Sequence, residues 1–432
     1  MKKICNLKIW SITLLIMLFA TVAYANSDAG KFIVLGKTIF NHRNVYLAKL
    51  KNGKVLIADF DIPPKNGQMK ISEQDRYLKK FELYNPKTKT FESMAQPIYW
   101  HSNNQPIVLD DGRVLIVGGF CVNMWNKKYV TQFHVDTCEQ SQYAELYDPE
   151  KNEFKLAGKM NIPRCGFGIT KLPDGRVLIT NGKHTLPAEY DSEGREDYYY
   201  SLKKYGIEGH AEIFDPKTET FSLAGVSSVN IMKKATNPKA EKPLYRRGNV
   251  DGQAITLDNG EVLVLWANEG MAEIYDSKTE KFHTVGRMIM KRQYYNVLKL
   301  DDGRVLILKG ICSAEPSDFA EIYNPTTETF SNLGSLAVFH GRAGISMGLL
   351  KNGKVLILGG TTDNNKFPPK EIAIRSMEIF DPKSNKFKYI GEKKSNNYSG
   401  KSVLLDEGNV LFISNCKKYK HTCGELYIPN DK

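Results

Sequence analysis

Basic side chains recur at one spacing along this chain. His42 and Arg43, His101, Arg164, Arg292 and Arg342 stand seven or eight residues before a leucine that opens a short glycine-centred motif, with Arg246 and Arg247 slightly further out. A planar guanidinium grips a carboxylate through parallel N–H···O bonds, so such groups gathered at one channel mouth would trap an anion. Arg43, His101, Arg164, Arg247, Arg292 and Arg342 are therefore candidate ligand-binding residues. A competing role is written in the same sequence, because glutamates recur at a second fixed place: Glu82, Glu145, Glu212, Glu273, Glu321, Glu378 and Glu425. An arginine that neutralises a half-buried glutamate has no charge to spare for a ligand. The directions of Arg164, Arg292 and Arg342, into the channel or onto these glutamates, separate the two roles.

Cysteines and aromatics supply the other candidates. Cys121 with Cys138, and Cys416 with Cys423, are close enough in sequence to close local disulfides in an oxidising compartment, each contributing about 2–4 kcal/mol. Zinc, with His134 or His421 joining, is the alternative, but no Cys-x-x-Cys spacing supports it, and neither metal nor cofactor is expected. Cys165 and Cys312 have no local partner. Trp125 lies between Cys121 and Cys138 with Tyr129, Phe133 and His134, and Tyr198, Tyr199 and Tyr200 form a second cluster. Such aromatics suit sugar stacking or a protein contact, and serve equally to pack under their own loops. No nucleophile elbow or phosphate loop appears.

The elements that position these residues are repeats. The octapeptide LDDGRVLI occurs at Leu109 and again, unchanged, at Leu300, with looser copies at Leu50, Leu172, Leu257, Leu350 and Leu405. An internal repeat decides the architecture before length does. Asn-Gly or Asp-Gly between two apolar stretches predicts a hairpin with a type I′ turn, from which Glu407-Gly408 departs. Downstream comes a third strand ending in Asp-Pro or Asn-Pro, as in AELYDP from Ala144. A fourth follows, with Phe and Gly four residues apart, as in Phe154 and Gly158. Four antiparallel strands repeated seven times predict an all-β, seven-bladed propeller, whose radial repetition protects strand edges.

Blade 7 runs out of chain after its third strand. Phe32 to Leu35, followed by Gly36, has the spacing of the missing fourth strand, so the N-terminal strand is expected to complete the last blade and close the ring. In such blades the hairpin and Asp-Pro turns share one face. The long insertions, 60–80, 120–143, 182–209, 226–249 and 361–376, then share the other, where recognition usually lives.

Val117-Gly118-Gly119 and Leu358-Gly359-Gly360, combined with the A-E-x-Y-D-P-x-T-x-T-F pattern, resemble the kelch repeat of secreted bacterial kelch proteins and of galactose-oxidase-like propellers. The resemblance covers essentially the whole chain after the leader. It is specific for fold and weak for function. A ring of arginines also resembles kelch proteins that capture acidic peptides. Copper radical oxidases with this propeller use two Tyr and two His around copper, one His directly following a Tyr, and this chain has no Tyr-His dipeptide. A periplasmic kelch propeller that interconverts sialic acid anomers is the other enzymatic relative implied.

Lys2, Lys3, an apolar run from Ile9 to Val22 and Ala23-Tyr24-Ala25 have the form of a secretory leader. Residues 1–25 are thus expected to be removed and 26–432 to form one propeller, secreted or periplasmic. The formal charge of +12 falls by three units without Lys2, Lys3 and Lys8. A basic secreted protein meets anionic glycans, acidic proteins or cell surfaces more readily than nucleic acid. The expected function is a monomeric binding module for a protein or glycan ligand, with no membrane span after the leader. The alternative is a sugar-acting propeller enzyme.

Overall fold

The computed structural model describes residues 30–42, 45–59, 80–99, 101, 105–118, 142–162, 164–180, 182–184, 189–190, 196–197, 210–227, 252–266, 270–292, 295–308, 311–312, 315–316, 319–338, 340, 343–363, 371–393, 398–416 and 421–430. Their strands form seven antiparallel blades. Blade 1 runs Val45–Lys49, Val55–Asp59, Lys80–Asn85 and Thr90–Ser93. Blades 2 to 6 repeat the order. Their first and last strands are Ile107–Val108 and Glu153–Lys159, Gly168–Lys171 and Thr220–Val226, Gln253–Thr256 and Lys281–Thr284, Asn296–Lys299 and Thr329–Ser335, and Ala343–Leu349 and Lys386–Glu392.

Blade 7 is completed from the other end of the chain. Tyr398–Leu404, Val410–Cys416 and His421–Ile428 are joined by Lys31–Lys37, which pairs antiparallel with His421–Ile428 in the register Phe32 to Tyr427. One aromatic pair shows the equivalence. The third-strand ring packs on the fourth-strand Phe at 5.0 Å in Tyr147 and Phe154, and at 4.9 Å in Tyr323 and Phe330. Phe32 and Tyr427, 395 positions apart in sequence, sit at 5.1 Å.

Second strands are apolar on both faces because each lies between blades. Val114–Val117, Val177–Thr180 and Val305–Leu308 are buried throughout. Leu56, Ala58 and Phe81 of blade 1 pack on Val114, Ile116 and Tyr147 of blade 2, so the core is a chain of inter-blade seams. First strands meet near the axis, where Thr170 bonds Thr256 at 2.9 Å and Ser346 bonds Ser402 at 2.8 Å.

The hairpins differ from the predicted type I′. Gly53 N–H donates to Leu50 O at 3.0 Å and Leu50 N–H to Lys54 O at 2.8 Å, with positive φ at Gly53 and not at Asn52. This is a three-residue loop, a type I turn followed by a left-handed glycine. The residue before the glycine keeps negative φ, which is why Glu407 is accepted in the seventh copy. Positive φ on non-glycine residues occurs instead in the outer turns, at Lys89, Asn152, Glu219, Glu280, Glu328 and Asn385.

Candidate functional site

Each third strand carries one glutamate at the same place, and all seven are buried, at most 2% exposed. A bare carboxylate there would be very costly, so its partners matter. They come from the connection that enters from the preceding blade. Glu145 accepts the backbone amides of Ile98 at 2.8 Å and Tyr99 at 3.0 Å, and Glu212 those of Asn161 at 2.6 Å and Ile162 at 3.0 Å. Glu321 accepts from Ile289 at 2.6 Å and Met290 at 3.2 Å, and Glu378 from Ala337 and Val338 at 2.8 Å each. Each of these four, like Glu82 with the Ile39 amide at 2.8 Å, latches its blade to the chain arriving from its neighbour.

A buried cationic or polar side chain completes each latch. Arg164, 1% exposed, donates to Glu212 at 3.1 Å and to the His210 carbonyl at 3.0 Å. Burial pushes its pKa below the usual value, and Glu212 opposes that shift. Arg292 pairs with Glu321 and donates to the Phe319 carbonyl at 2.9 Å. His101 places Nδ1 2.5 Å from Gly118 O and Nε2 3.2 Å from Glu145. His42 pairs with Glu82.

These placements answer the question posed by the basic residues. Arg164, Arg292 and His101 turn onto the strand-three glutamates, almost wholly shielded from solvent, and present no surface for anion capture. Arg43, Arg247, Arg342, Trp125, Cys121 and Cys138 lie outside the described residues. So do most of the long insertions.

Sequence spacing missed four latch residues, in three blades. In blade 6 the partner of Glu378 is His340, with Nε2 at 2.8 Å and Nδ1 2.5 Å from Gly359 O, two residues before the spacing that singled out Arg342. In blade 4 Glu273 accepts from Ser227 Oγ at 2.7 Å and Trp266 Nε1 at 2.8 Å. In blade 7 Lys393, 6% exposed, lies close to Glu425. The available signal was the double glycine, which accompanies a histidine in blades 2 and 6.

Cys416 and Cys423 are buried thiols on paired strands, with no bond between the sulfurs. The His421 ring nitrogen Nδ1 lies 3.0 Å from the Thr422 carbonyl oxygen. Among the described residues no group of three or more His, Cys, Asp or Glu is arranged to hold a metal ion. Among them, too, no helix is long and apolar enough to cross a membrane.

No family model matches the chain. Kelch-like protein 15 of Homo sapiens and of Mus musculus is 24% identical over 304 residues, 67% of this chain and 44% of theirs. The Danio rerio protein is 22% identical over 309 residues. The chain thus spans less than half the length of these curated relatives. Among solved structures, a fungal alcohol oxidase of the AA5 family in complex with copper superposes with TM-score 0.62 at 17% identity, covering 93% of this chain and 77% of that one. The fold is a kelch-type β-propeller. Likeness at these identities extends to the propeller alone.

Proposed function

We propose that this kelch-type propeller is a secreted recognition module that binds a protein or glycan ligand through the face carrying its long connections. The observation that carries the reading is topological. In blades 1 to 6 the short hairpin and Asx turns leave one edge, as does the hairpin of blade 7, so the connections between second and third strands and between blades emerge opposite. The latches hold those connections on a ring whose buried glutamates, arginines and histidines are spent on one another. Rigid scaffold with variable loops is the arrangement that recognition uses. The Kelch-like relatives support a protein partner, and the leader-like N-terminus supports export.

Full-length expression with an intact leader, followed by N-terminal sequencing of the exported form, tests secretion, and cleavage after Ala25 is the expected result. Binding is tested by presenting the exported protein to glycan arrays and to cell-surface protein extracts. Saturable capture that is lost on replacing 120–143 by a short Gly-Ser linker is expected. No capture, together with turnover of a sugar or copper-dependent oxidation of an alcohol, would replace the reading with an enzymatic one.

A further inference from the structure

The ring-closing blade differs chemically from the other six. Just before the amides that bind the latch glutamate in blades 1, 2, 3, 5 and 6 stand Thr38, Pro97, Met160, Met288 and Leu336; Ser227 precedes Glu273 in blade 4 and Lys393 precedes Glu425 in blade 7, and all seven are buried. A small cavity of about 10 Å³, lined among others by Lys393, Ser346, Ser414 and Glu425, lies at this seam between blades 6 and 7. Ser414 Oγ has no hydrogen-bond partner among the described residues. Next to it stand the two thiols. Cys423 is fully buried and Cys416 is 7% exposed.

Register brings these thiols to the joint that closes the ring. Cys423 faces Ser414 on the second strand and Lys37 on the N-terminal strand, and Cys416 lies two residues beyond Ser414. The two sulfur groups are in hydrogen-bonding contact across the diagonal. Thr38 N–H then donates to Thr422 O at 3.2 Å, the last rung before the N-terminal strand leaves the blade.

We infer that Cys416 and Cys423 form a reversible disulfide that clasps the ring-closing blade, so that the redox state of this pair sets how firmly the N-terminal strand is held. The oxidant is an external disulfide, such as oxidised glutathione or a disulfide oxidoreductase. Cys416 is the more accessible thiol, and burial together with the neighbouring Cys416 holds the Cys423 thiol protonated. Cys416, as thiolate, therefore attacks first and forms a mixed disulfide, releasing one thiol of the oxidant. Cys423 then loses its proton, attacks Cys416 Sγ and expels the second thiol. Two protein thiols lose two electrons and two protons, and one external disulfide becomes two thiols.

Non-reducing tryptic mass spectrometry of the full-length protein equilibrated with oxidised glutathione is the direct test. Lys417, Lys418 and Lys420 separate the two cysteines. A disulfide therefore appears as a linked pair of peptides, two mass units lighter than their sum. Hydrogen exchange supplies the second readout. Reduction is expected to speed exchange at amides 31–37 and 421–428 at least severalfold, and to lower Tm by several degrees. Both effects should vanish in the Cys416→Ala/Cys423→Ala double variant. Quantitative alkylation of both thiols after the oxidised incubation would overturn the inference. So would a linked peptide pair with no change in exchange at 31–37.

Discussion

Blades 2 and 6 latch with histidine, blades 3 and 5 with arginine, and the carboxylate they serve is the same. The carbonyl they share it with is not. His101 and His340 bond the carbonyl of the first residue of the double glycine, Gly118 or Gly359. Arg164 and Arg292, with longer reach, bond the carbonyl that opens the third strand, His210 or Phe319. A short imidazole must bring its own backbone close, and Gly360 makes the room. A Cβ on Gly360 would collide with the His340 carbonyl oxygen and stand 3.3 Å from its Cβ. In blades 2 and 6 the double glycine is thus the companion of a histidine latch, whereas His42 of blade 1 has Asp59 at 3.7 Å from Nδ1 in place of a glycine carbonyl, and the arginine blades have Asn181-Gly182 and Lys309-Gly310.

Removing the carboxylate should separate the two kinds of blade most widely. Glu212→Ala leaves a buried guanidinium and two amides without their acceptor, and a loss of about 3–5 kcal/mol in urea unfolding is expected. Glu145→Ala should cost less, about 2 kcal/mol, because imidazole can exist neutral whereas guanidinium cannot, and the cost is that of unsatisfied donors. Equal losses would break the distinction. Gly360→Ala follows, with about 2–3 kcal/mol expected from the collision and from φ of +119°. A neutral result in thermal unfolding would show that the glycine does not serve His340.

Blade 7 sharpens the comparison through pH. Burial holds the Lys393 pKa below its free value of 10.5, against the pull of Glu425. Because the folded state disfavours the charged form, the penalty is full below the folded pKa. It is relieved as pH rises from the folded value toward 10.5, so this site's contribution to stability increases over that window. Lys393→Met with Glu425→Gln should stabilise the protein by about 1–2 kcal/mol at pH 7. The advantage over wild type should shrink toward pH 10. A gap constant with pH would remove the lysine from the explanation.

The smallest effect lies in the third-strand tyrosines. Burial pushes the Tyr147 hydroxyl up to about 12, yet it is bonded to Asn152 Oδ1 at 3.1 Å. Tyr84, Tyr275 and Tyr323 have buried hydroxyls with no partner among the described residues. Tyr275→Phe should therefore be neutral or stabilising by up to about 1 kcal/mol, as Phe214 and Phe380 already suggest, and Tyr147→Phe should cost about 1 kcal/mol. Matching shifts in urea midpoint for the two variants would contradict the hydrogen-bond assignment.

Much of the ring was legible before the structure. Strand-forming runs, turn residues and the Phe-to-Gly spacing are local, and they located the blades and the closing strand at Phe32. The latch was half legible. The glutamates and Arg164, Arg292 and His101 repeat at near-constant spacing, but His340 stands two residues early. Trp266 and Ser227 do not look like substitutes for a cation. Counting from one leucine cannot reveal them, because the connection between blades varies in length while the carboxylate it must reach is fixed in space.

Sequence by itself determined the seven-fold repetition, the third-strand glutamate and the need for a strand from the other chain end, since each follows from short-range pattern. Only the tertiary structure decided which side chain meets each glutamate. Arg164 and Glu212 are 48 residues apart, His101 and Glu145 44, and Arg292 and Glu321 29. Their meeting depends on how neighbouring blades pack, and burial then turns residues with the chemistry of a ligand trap into the fastenings of the ring.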